Sequence, residues 1–277
     1  MFGLVPRPIW SRSFPPDEKN RIPMVARSLL IELDDGQHGM IDSGCGDPAA
    51  FHEKERSIQK LSSDWPLLTA LAEQGLSPEQ IDFVLCTHLH WDHAGGLSRC
   101  GAGGQTLTFP NAKVYVGDQE WRDAKSGNPL LYKSYPESIQ KTLDLIPAET
   151  LIRVREDCAE IFPGITLRRS GGHTQGHCSF HIFNAQMVQN LSDSEPWHSC
   201  TEWLYAGDVL SVRDHLRLVF QTAYDTFPLD TRAWKQEWLP QAAAAGWGII
   251  LDHSPQEHAI WIEPDAQQEY KVIGSLK

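Results

Sequence analysis

The chain has 277 residues, of which 41% are hydrophobic and 22% charged, so it is long enough for a well-buried core. Its 36 acidic residues exceed the 24 lysines and arginines, and the formal charge of −12 argues against nucleic acid or an anionic membrane as the main partner. No segment approaches the roughly 18 apolar residues of a membrane span, and six cysteines without a C-x-x-C pair are typical of a reducing compartment, so we expect a cytoplasmic protein.

The first half of the chain alternates predicted strands with predicted helices. Two strands joined by the turn DDGQHG open it, and a helix that ends at Gly75 follows. A short helical turn capped by Ser77 then leads into a compact apolar strand. The predicted strands are 24–33, 39–42, 81–86 and 112–117, and the predicted helices are 63–74 and 118–124.

The second half repeats this alternation. Strands are predicted at GITLRRS, CSFHIFN, EWLYAGDVL and WGIILDHS, with a long helix at TRAWKQEWLPQAAAAG that Gly246 closes. The polar stretch 184–203 predicts a long hairpin loop. The glycine-rich CGAGGQ lacks the lysine and the strand-to-helix context of a phosphate-binding loop, so we expect a flexible loop there. Because no linker separates the two halves, we predict one layered α/β domain over residues 1–277.

Residues that can bind metal follow the apolar strands, at the point where each strand ends. Loops that leave rigid strands commonly carry binding sites. Imidazole and carboxylate groups together suit zinc, with manganese, cobalt or iron as alternatives. The candidates that share this position are His88, His90, Asp92, His93, His173, Asp208 and His253.

The competing interpretation places each histidine in the core or on the surface without a metal. For a lone histidine that interpretation is favoured, and we apply it to His181, His198, His215 and His258. For the H-x-H-x-D-H run it is not, because burying three imidazoles and a carboxylate without a cation would be costly. We expect His177 to support the site rather than to bind metal.

The segment THLHWDHAGG resembles the signature of the metallo-β-lactamase superfamily. The segments MIDSG, GGHTQGH, YAGD and LDH occur in the order of that family, so the resemblance covers nearly the whole chain. It implies an α/β fold, the αββα sandwich with two mixed sheets inside and helices outside. It also implies a dinuclear metal site at one edge of the sheets.

The resemblance also implies a role for each candidate. His88, His90 and His173 would hold the first metal, and Asp92, His93 and His253 the second. Asp208 would bridge the two ions. Asp42, in MIDSG, would support a ligand rather than bind metal. The cofactors implied are two divalent ions, zinc first, with Mn²⁺, Co²⁺ or Fe²⁺ as alternatives.

Two ions about 3.5–4 Å apart can hold a hydroxide between them and polarise a carbonyl or phosphoryl oxygen. The reaction this implies is attack of the bridging hydroxide on the carbonyl of a small-molecule ester or lactone, with promiscuous phosphotriesterase activity as an extension. Asp92 would carry a proton to the leaving group.

The segments LTFPNAKVYVGDQEW and AYDTFPLDT resemble the group that holds the N-acyl homoserine lactone lactonases and methyl parathion hydrolase. Those lactonases carry a tyrosine three residues after the bridging aspartate, where this chain has Ser211. Stabilisation of the oxyanion would therefore rest on the metals or on another group such as Tyr224.

Three other functions stay open at this stage. One is a thioesterase of the hydroxyacylglutathione hydrolase type, against which the C-terminal 21 residues offer only two lysines to grip glutathione. A second is an iron-dependent oxidoreductase. The third is a non-catalytic metal-binding protein of the same fold, which we would expect to have lost a ligand. The oligomeric state, monomer or homodimer, is also open.

Overall fold

The computed structural model describes residues 2–131, 134–185 and 200–277. They form two compact units, one of Ala26–Arg155 and one of Met1–Val25 with Glu156–Lys277. We call these the 26–155 unit and the 156–277 unit, and the latter includes the N-terminal segment. They correspond to the two halves predicted from the sequence. The single domain over 1–277 stays a prediction.

The helices and strands of the described residues follow one another along the whole chain. The helices are α1 (Arg7–Trp10), α2 (Glu53–Gln59), α3 (Pro66–Glu73), α4 (Trp91–Ala94), α5 (Asp118–Lys125), α6 (Glu137–Leu145) and α7 (Pro228–Ala245). The strands are β1 (Leu29–Glu32), β2 (His38–Ile41), β3 (Phe83–Leu85), β4 (Ser98–Gly101), β5 (Gly104–Leu107), β6 (Lys113–Gly117), β7 (Leu151–Val154), β8 (Cys158–Phe162), β9 (Ile165–Arg169), β10 (Cys178–Ile182), β11 (Trp203–Tyr205), β12 (Gly248–Ile250), β13 (Ala259–Asp265) and β14 (Glu269–Leu276).

The 26–155 unit is built on a mixed sheet with the strand order β1-β2-β3-β6-β7. β1 and β2 pair antiparallel, and the remaining neighbours pair parallel. All three side chains of β3 are fully buried, which explains why the strand is continuously apolar rather than alternating. β2 approaches β3 closely at Gly39, where a Cβ atom would clash with the ring of Phe83.

The 156–277 unit is built on a second mixed sheet, with the order β14-β13-β12-β11-β10-β9-β8. Its strands pair antiparallel except for β11 and β12. A parallel pair needs a crossover connection, and α7 lies in that connection. α7 buries Trp234, Trp238 and Leu239 in one apolar cluster with Ile249 and Ile260 of the sheet. It ends at Gly246, whose φ of 71° is the left-handed conformation typical of a helix end.

Several elements differ from the sequence prediction. The segment CGAGGQ is not an irregular loop but the tip of the β4–β5 hairpin, in which Cys100 pairs with Gln105 and Gly101 with Gly104. A two-residue turn with glycine on both sides permits this pairing, and Gly104 has a φ of 113°. The elements that were not predicted are α1, α2, α4, α6, β4, β5, β7, β8, β13 and β14. Most of the predicted polar loop at 184–203, and His198 with it, lies outside the described residues.

Among the residues described, no helix combines the length and the apolar character needed to cross a membrane.

Candidate metal centre

In the 26–155 unit, the THLHWDH segment follows β3 and enters α4. His88, His90 and His93 are buried, with exposed fractions of 0%, 9% and 2%. The ring centroid of His88 lies 4.5 Å from that of His90 and 4.1 Å from that of His93. One ligand atom of His88 and one of His90 lie within 4.8 Å of each other. The structure therefore brings the three histidines of this run together.

Asp42 organises these histidines from the end of β2. Its Oδ2 lies 2.9 Å from His93 Nδ1 and 2.8 Å from Thr87 Oγ1, and its Oδ1 accepts from the Thr87 amide at 2.8 Å. The residue is fully buried and has a φ of 56°, a conformation that aspartate tolerates better than most residues. Asp42 thus supports a candidate ligand, as the sequence resemblance implied.

These contacts determine which imidazole nitrogen carries a proton. A carboxylate only accepts, so neutral His93 keeps its proton on Nδ1 and the lone pair on Nε2. The single proton of the Thr87 hydroxyl is donated to Asp42, so Thr87 Oγ1 accepts from His88 Nδ1 at 3.0 Å. Both rings are therefore in the tautomer that can offer Nε2 to a metal.

The Gly-Gly pair after His93 permits close contact between two loops. The amide and hydroxyl of Ser43 donate to the His93 carbonyl at 2.6 and 2.9 Å, and Gly44 forms a bridge with Ala94. A Cβ on Gly95 would clash with the carbonyl of Cys45, and one on Gly96 with the carbonyl of Ser43. The two glycines are needed because the backbones approach too closely for a side chain.

A buried carboxylate also holds the backbone between His88 and His90. Glu120, in α5, is fully buried, and its Oε1 accepts from the Leu89 amide at 2.8 Å and from the Tyr135 hydroxyl at 2.9 Å. The Tyr135 ring lies 5.7 Å from the ring of His90. Glu120 was missed from the sequence, because nothing in DQEWRDA distinguishes it from a surface helix residue.

In the 156–277 unit, Asp208 lies between two histidines. Its Oδ2 lies 3.0 Å from His173 Nε2, and its Oδ1 lies 2.8 Å from His253 Nε2. His173 is 1% exposed, His253 2% and Asp208 6%. Each carboxylate oxygen therefore faces a different imidazole.

Both imidazoles are held on the nitrogen that faces away from Asp208. His173 Nδ1 lies 3.1 Å from Asp225 Oδ1, and His253 Nδ1 lies 2.6 Å from the Val25 carbonyl oxygen. These partners only accept, so the Nε2 lone pair of each neutral ring points at a carboxylate oxygen. A proton or a metal ion relieves that repulsion. Burial alone would lower the pKa of His173, but Asp208 and Asp225 outweigh it and raise the pKa to about 9, so at neutral pH a proton on Nε2 faces Asp208 until a metal ion replaces it.

Asp208 is itself held by its neighbours in the unit. His177 Nε2 accepts from the Asp208 amide at 3.1 Å, so that nitrogen cannot bind a metal at the same time. This agrees with the supporting role expected for His177. Ser211 is fully buried, and its hydroxyl lies 3.2 Å from Asp208 Oδ1. The Ser211 carbonyl accepts from the His253 amide at 3.2 Å.

Two further carboxylates of this unit were missed from the sequence. Asp225, which holds His173, lies in the segment AYDTF, where no local pattern marks it. Asp252 stands directly before His253, is fully buried, and places a ligand atom within 4.8 Å of ligand atoms of Asp208 and His253. The sequence signal that could have identified Asp252 is its position directly before His253, a predicted ligand that follows a strand.

Two predicted catalytic residues lie outside these groups of ligand atoms. Asp92 is half-buried in the first turn of α4 and does not belong to the His88 and His90 group. Tyr224 is 69% exposed, and its amide donates to Thr222 Oγ1 at 3.1 Å. The roles of Asp92 as ligand and proton carrier, and of Tyr224 as oxyanion donor, therefore stay predictions.

The donor sets of both units fit divalent metal ions. The 26–155 unit presents buried imidazoles in the metal-binding tautomer, and the 156–277 unit presents two imidazoles on one carboxylate. Imidazole with carboxylate is a donor set that zinc, manganese, cobalt and iron accept.

Comparison with known proteins agrees with this chemistry. A family model described as the metallo-beta-lactamase superfamily matches residues 21–188. An N-acyl homoserine lactonase from Bacillus cereus is 25% identical over 161 residues, which are 55% of this chain and 56% of that protein. The chain thus spans little more than half the length of the curated relatives that it matches in this way.

Two solved structures extend the similarity over most of the chain. A probable metal-dependent hydrolase from Staphylococcus aureus has a TM-score of 0.83 at 26% identity, covering 100% of this chain and 90% of that one. AidC, a dizinc quorum-quenching lactonase in complex with a product, has a TM-score of 0.65 at 19% identity, covering 90% of this chain and 79% of that one.

Proposed function

The chain belongs to the metallo-β-lactamase superfamily, and on that premise we propose that it is a dinuclear metal-dependent hydrolase of lactones or esters. Its α/β fold with mixed sheets and helices is that of the family, which confirms the fold predicted from the sequence. The similarity to N-acyl homoserine lactonases supports a small-molecule lactone as the substrate class.

The proposed metal ligands are the seven residues that the sequence singled out. Three imidazoles would hold the first ion, a carboxylate would be shared, and the remaining groups would hold the second ion. The proposed set is His88, His90 and His173 for the first ion, Asp92, His93 and His253 for the second, and Asp208 for both. The ions are divalent, with Zn²⁺ as the first choice.

The observation that carries this proposal is the position of Asp208. Its two oxygens face two histidines that are each fixed from behind by an acceptor. Because each Asp208 oxygen faces a different histidine, and each histidine is oriented by its own acceptor, the arrangement supports two metal ions rather than one.

When bound, such ions activate water as a nucleophile near neutral pH and polarise a carbonyl oxygen. The chain's own residues orient the site and move protons. Asp42 and Asp225 fix the rings of His93 and His173, and Asp92 would pass a proton to the leaving group. Tyr224 would donate to the substrate oxygen.

Metal content and turnover together test the proposal. Elemental analysis of the protein, purified without a chelator, is expected to show two transition-metal ions per chain. A screen with lactones, aryl esters, thioesters and phosphotriesters is expected to show the highest kcat/KM on a lactone or ester. A stoichiometry of one that added zinc or manganese does not change would contradict the dinuclear site, and preference for a thioester would favour the thioesterase.

Two variants separate the roles within the site. Asp208→Ala removes a negative charge and a ligand of both ions, so it should release both metals and abolish hydrolysis. His253→Ala should also abolish hydrolysis but leave the first metal bound. Equal loss of metal in the two variants would contradict the ligand assignment.

A further inference from the structure

Asp252 places its carboxylate among residues proposed to bind metal. One ligand atom of each of Asp208, Asp252 and His253 lies within 4.8 Å of the other two. Asp252 Oδ2 lies 3.9 Å from His253 Nε2. We propose that Asp252 is a ligand of the metal ion that His253 binds, an assignment that rests on the proposed function and adds a residue to it.

The charges of this group support the assignment. Asp252 is fully buried and Asp208 is 6% exposed. The two carboxylates therefore lie close together in a place where water screens their charges poorly. Neutral His253 keeps its proton on Nδ1, which faces the Val25 carbonyl oxygen, and so turns its Nε2 lone pair toward the same position. Three Lewis bases this close repel one another, and a divalent cation converts that repulsion into attraction.

The ligand set implied by the family resemblance does not contain this residue. There the second metal takes its carboxylate from Asp92 and from the bridging Asp208. Asp92 is half-buried, whereas Asp252 is fully buried two residues after the end of β12 and directly before His253. Asp252 would thus give the second ion a carboxylate from the segment that directly follows β12. The role of Asp92 in proton transfer is compatible with this.

Zinc affinity of the full-length chain tests the proposal directly. In competition with a chromophoric chelator, Asp252→Asn is expected to lower the affinity for one of the two zinc ions by about 100-fold or more. Loss of a residue that only supports a ligand typically lowers metal affinity by about 10–100-fold, so the expected loss lies at or above the upper end of that range. The other zinc should keep its affinity. Asp34→Asn is the matched control, because Asp34 is exposed in the turn between β1 and β2, and it should bind both ions as the wild type does.

The melting temperature of metal-free protein distinguishes a ligand from a structural acceptor. Removing one of two neighbouring buried negative charges should raise the melting temperature of metal-free Asp252→Asn above that of the wild type. The rise caused by adding zinc should shrink. If Asp252 only accepted structural hydrogen bonds, the metal-free melting temperature would fall. Asp252→Ser, which is smaller, repeats the measurement should the amide pack poorly.

Two results would overturn the proposal in different ways. A wild type that binds two zinc ions, with Asp252→Asn binding both equally tightly, would remove Asp252 from the ligand set and leave the proposed function intact. A wild type that binds fewer than two ions would overturn the dinuclear function itself and this assignment with it.

Discussion

At the scale of single residues, the candidate site is defined by which nitrogen of each histidine is held. Asp42 holds His93, Thr87 holds His88, and Asp225 holds His173, each on Nδ1. A neutral ring fixed in this way has its lone pair on Nε2, so the rings are oriented before a metal arrives. Because each outer partner contacts Nδ1, the Nε2 atom of the ring stays available to a metal ion.

Ser211 belongs to this outer set rather than to the reacting groups. It occupies the position of the lactonase tyrosine, but it is fully buried and its hydroxyl lies 3.2 Å from Asp208 Oδ1. We therefore predict that Ser211→Ala lowers kcat/KM at saturating zinc by less than about tenfold, or about 1.4 kcal/mol. Loss of an oxyanion donor costs about 10²–10³-fold.

The comparison variant for Ser211→Ala is Tyr224→Phe, measured on the lactone or ester that turns over best. A hundredfold loss at Ser211 with intact metal content would show that its hydroxyl contacts the substrate oxygen. A comparable loss in Tyr224→Phe would identify a relocated tyrosine, and would favour the lactonase over the phosphotriesterase.

At the scale of elements, the site depends on how closely loops approach one another at strand ends. In the 26–155 unit, the loop after β2 meets the loop after α4 with only backbone between them, at Ser43, Gly44 and the pair Gly95-Gly96. His93 is held between these loops, because its carbonyl accepts from Ser43 and its ring Nδ1 donates to Asp42. The packing of two loops thus determines where one ligand lies.

Gly96→Ala tests this dependence. The added methyl group would clash with the Ser43 carbonyl, so we predict a loss of about 1–3 kcal/mol in the free energy of unfolding, as for other overpacked sites. Zinc binding should weaken as well, because His93 moves with the loop. Gly103→Ala is the control, since a Cβ there meets no atom within 4 Å. Equal stability of the two variants by urea denaturation would contradict the role given to the glycine pair.

At the scale of the whole molecule, one buried lysine couples folding to pH. The chain carries a formal charge of −12, yet one lysine of α7 is fully buried. Lys235 donates from Nζ to the Phe220 carbonyl. Burial lowers its pKa from 10.5 to about 7, although Asp225 and Glu269 act in the opposite direction. Folding therefore becomes coupled to pH through this side chain.

The sign of that coupling follows from the lowered pKa. Between about pH 7 and 10.5 the unfolded chain keeps the Lys235 proton and the folded chain releases it, so Lys235 makes the free energy of unfolding rise with pH. Relative to Lys235→Met, the wild type should gain up to about 1.4 kcal/mol per pH unit in that window, and nothing below it.

Urea denaturation of wild type and Lys235→Met from pH 6 to 9.5 measures the difference, and titrations common to both proteins cancel. Below pH 7 the methionine variant should be the more stable, because it buries no charge. Stability curves that run parallel across the whole range would show that Lys235 keeps its ordinary pKa in the folded protein.

The sequence by itself determined what local patterns encode. Short apolar runs predicted β3, β6, β9 and β10, and Gly246 predicted the end of α7. The H-x-H-x-D-H run predicted a cluster of imidazoles, since residues so close in sequence cannot lie far apart. The order of the motifs indicated the family, and the family determines the fold.

Only the tertiary structure decided which partners hold those residues. Asp42 and His93 are 51 positions apart, Leu89 and Glu120 are 31, and His173 and Asp225 are 52. Periodicity extends over a few residues of one strand or helix, so it carries no information about contacts across such separations. Asp225, Glu120 and Asp252 look like ordinary acidic residues in the sequence, and folding alone buries them beside the histidines.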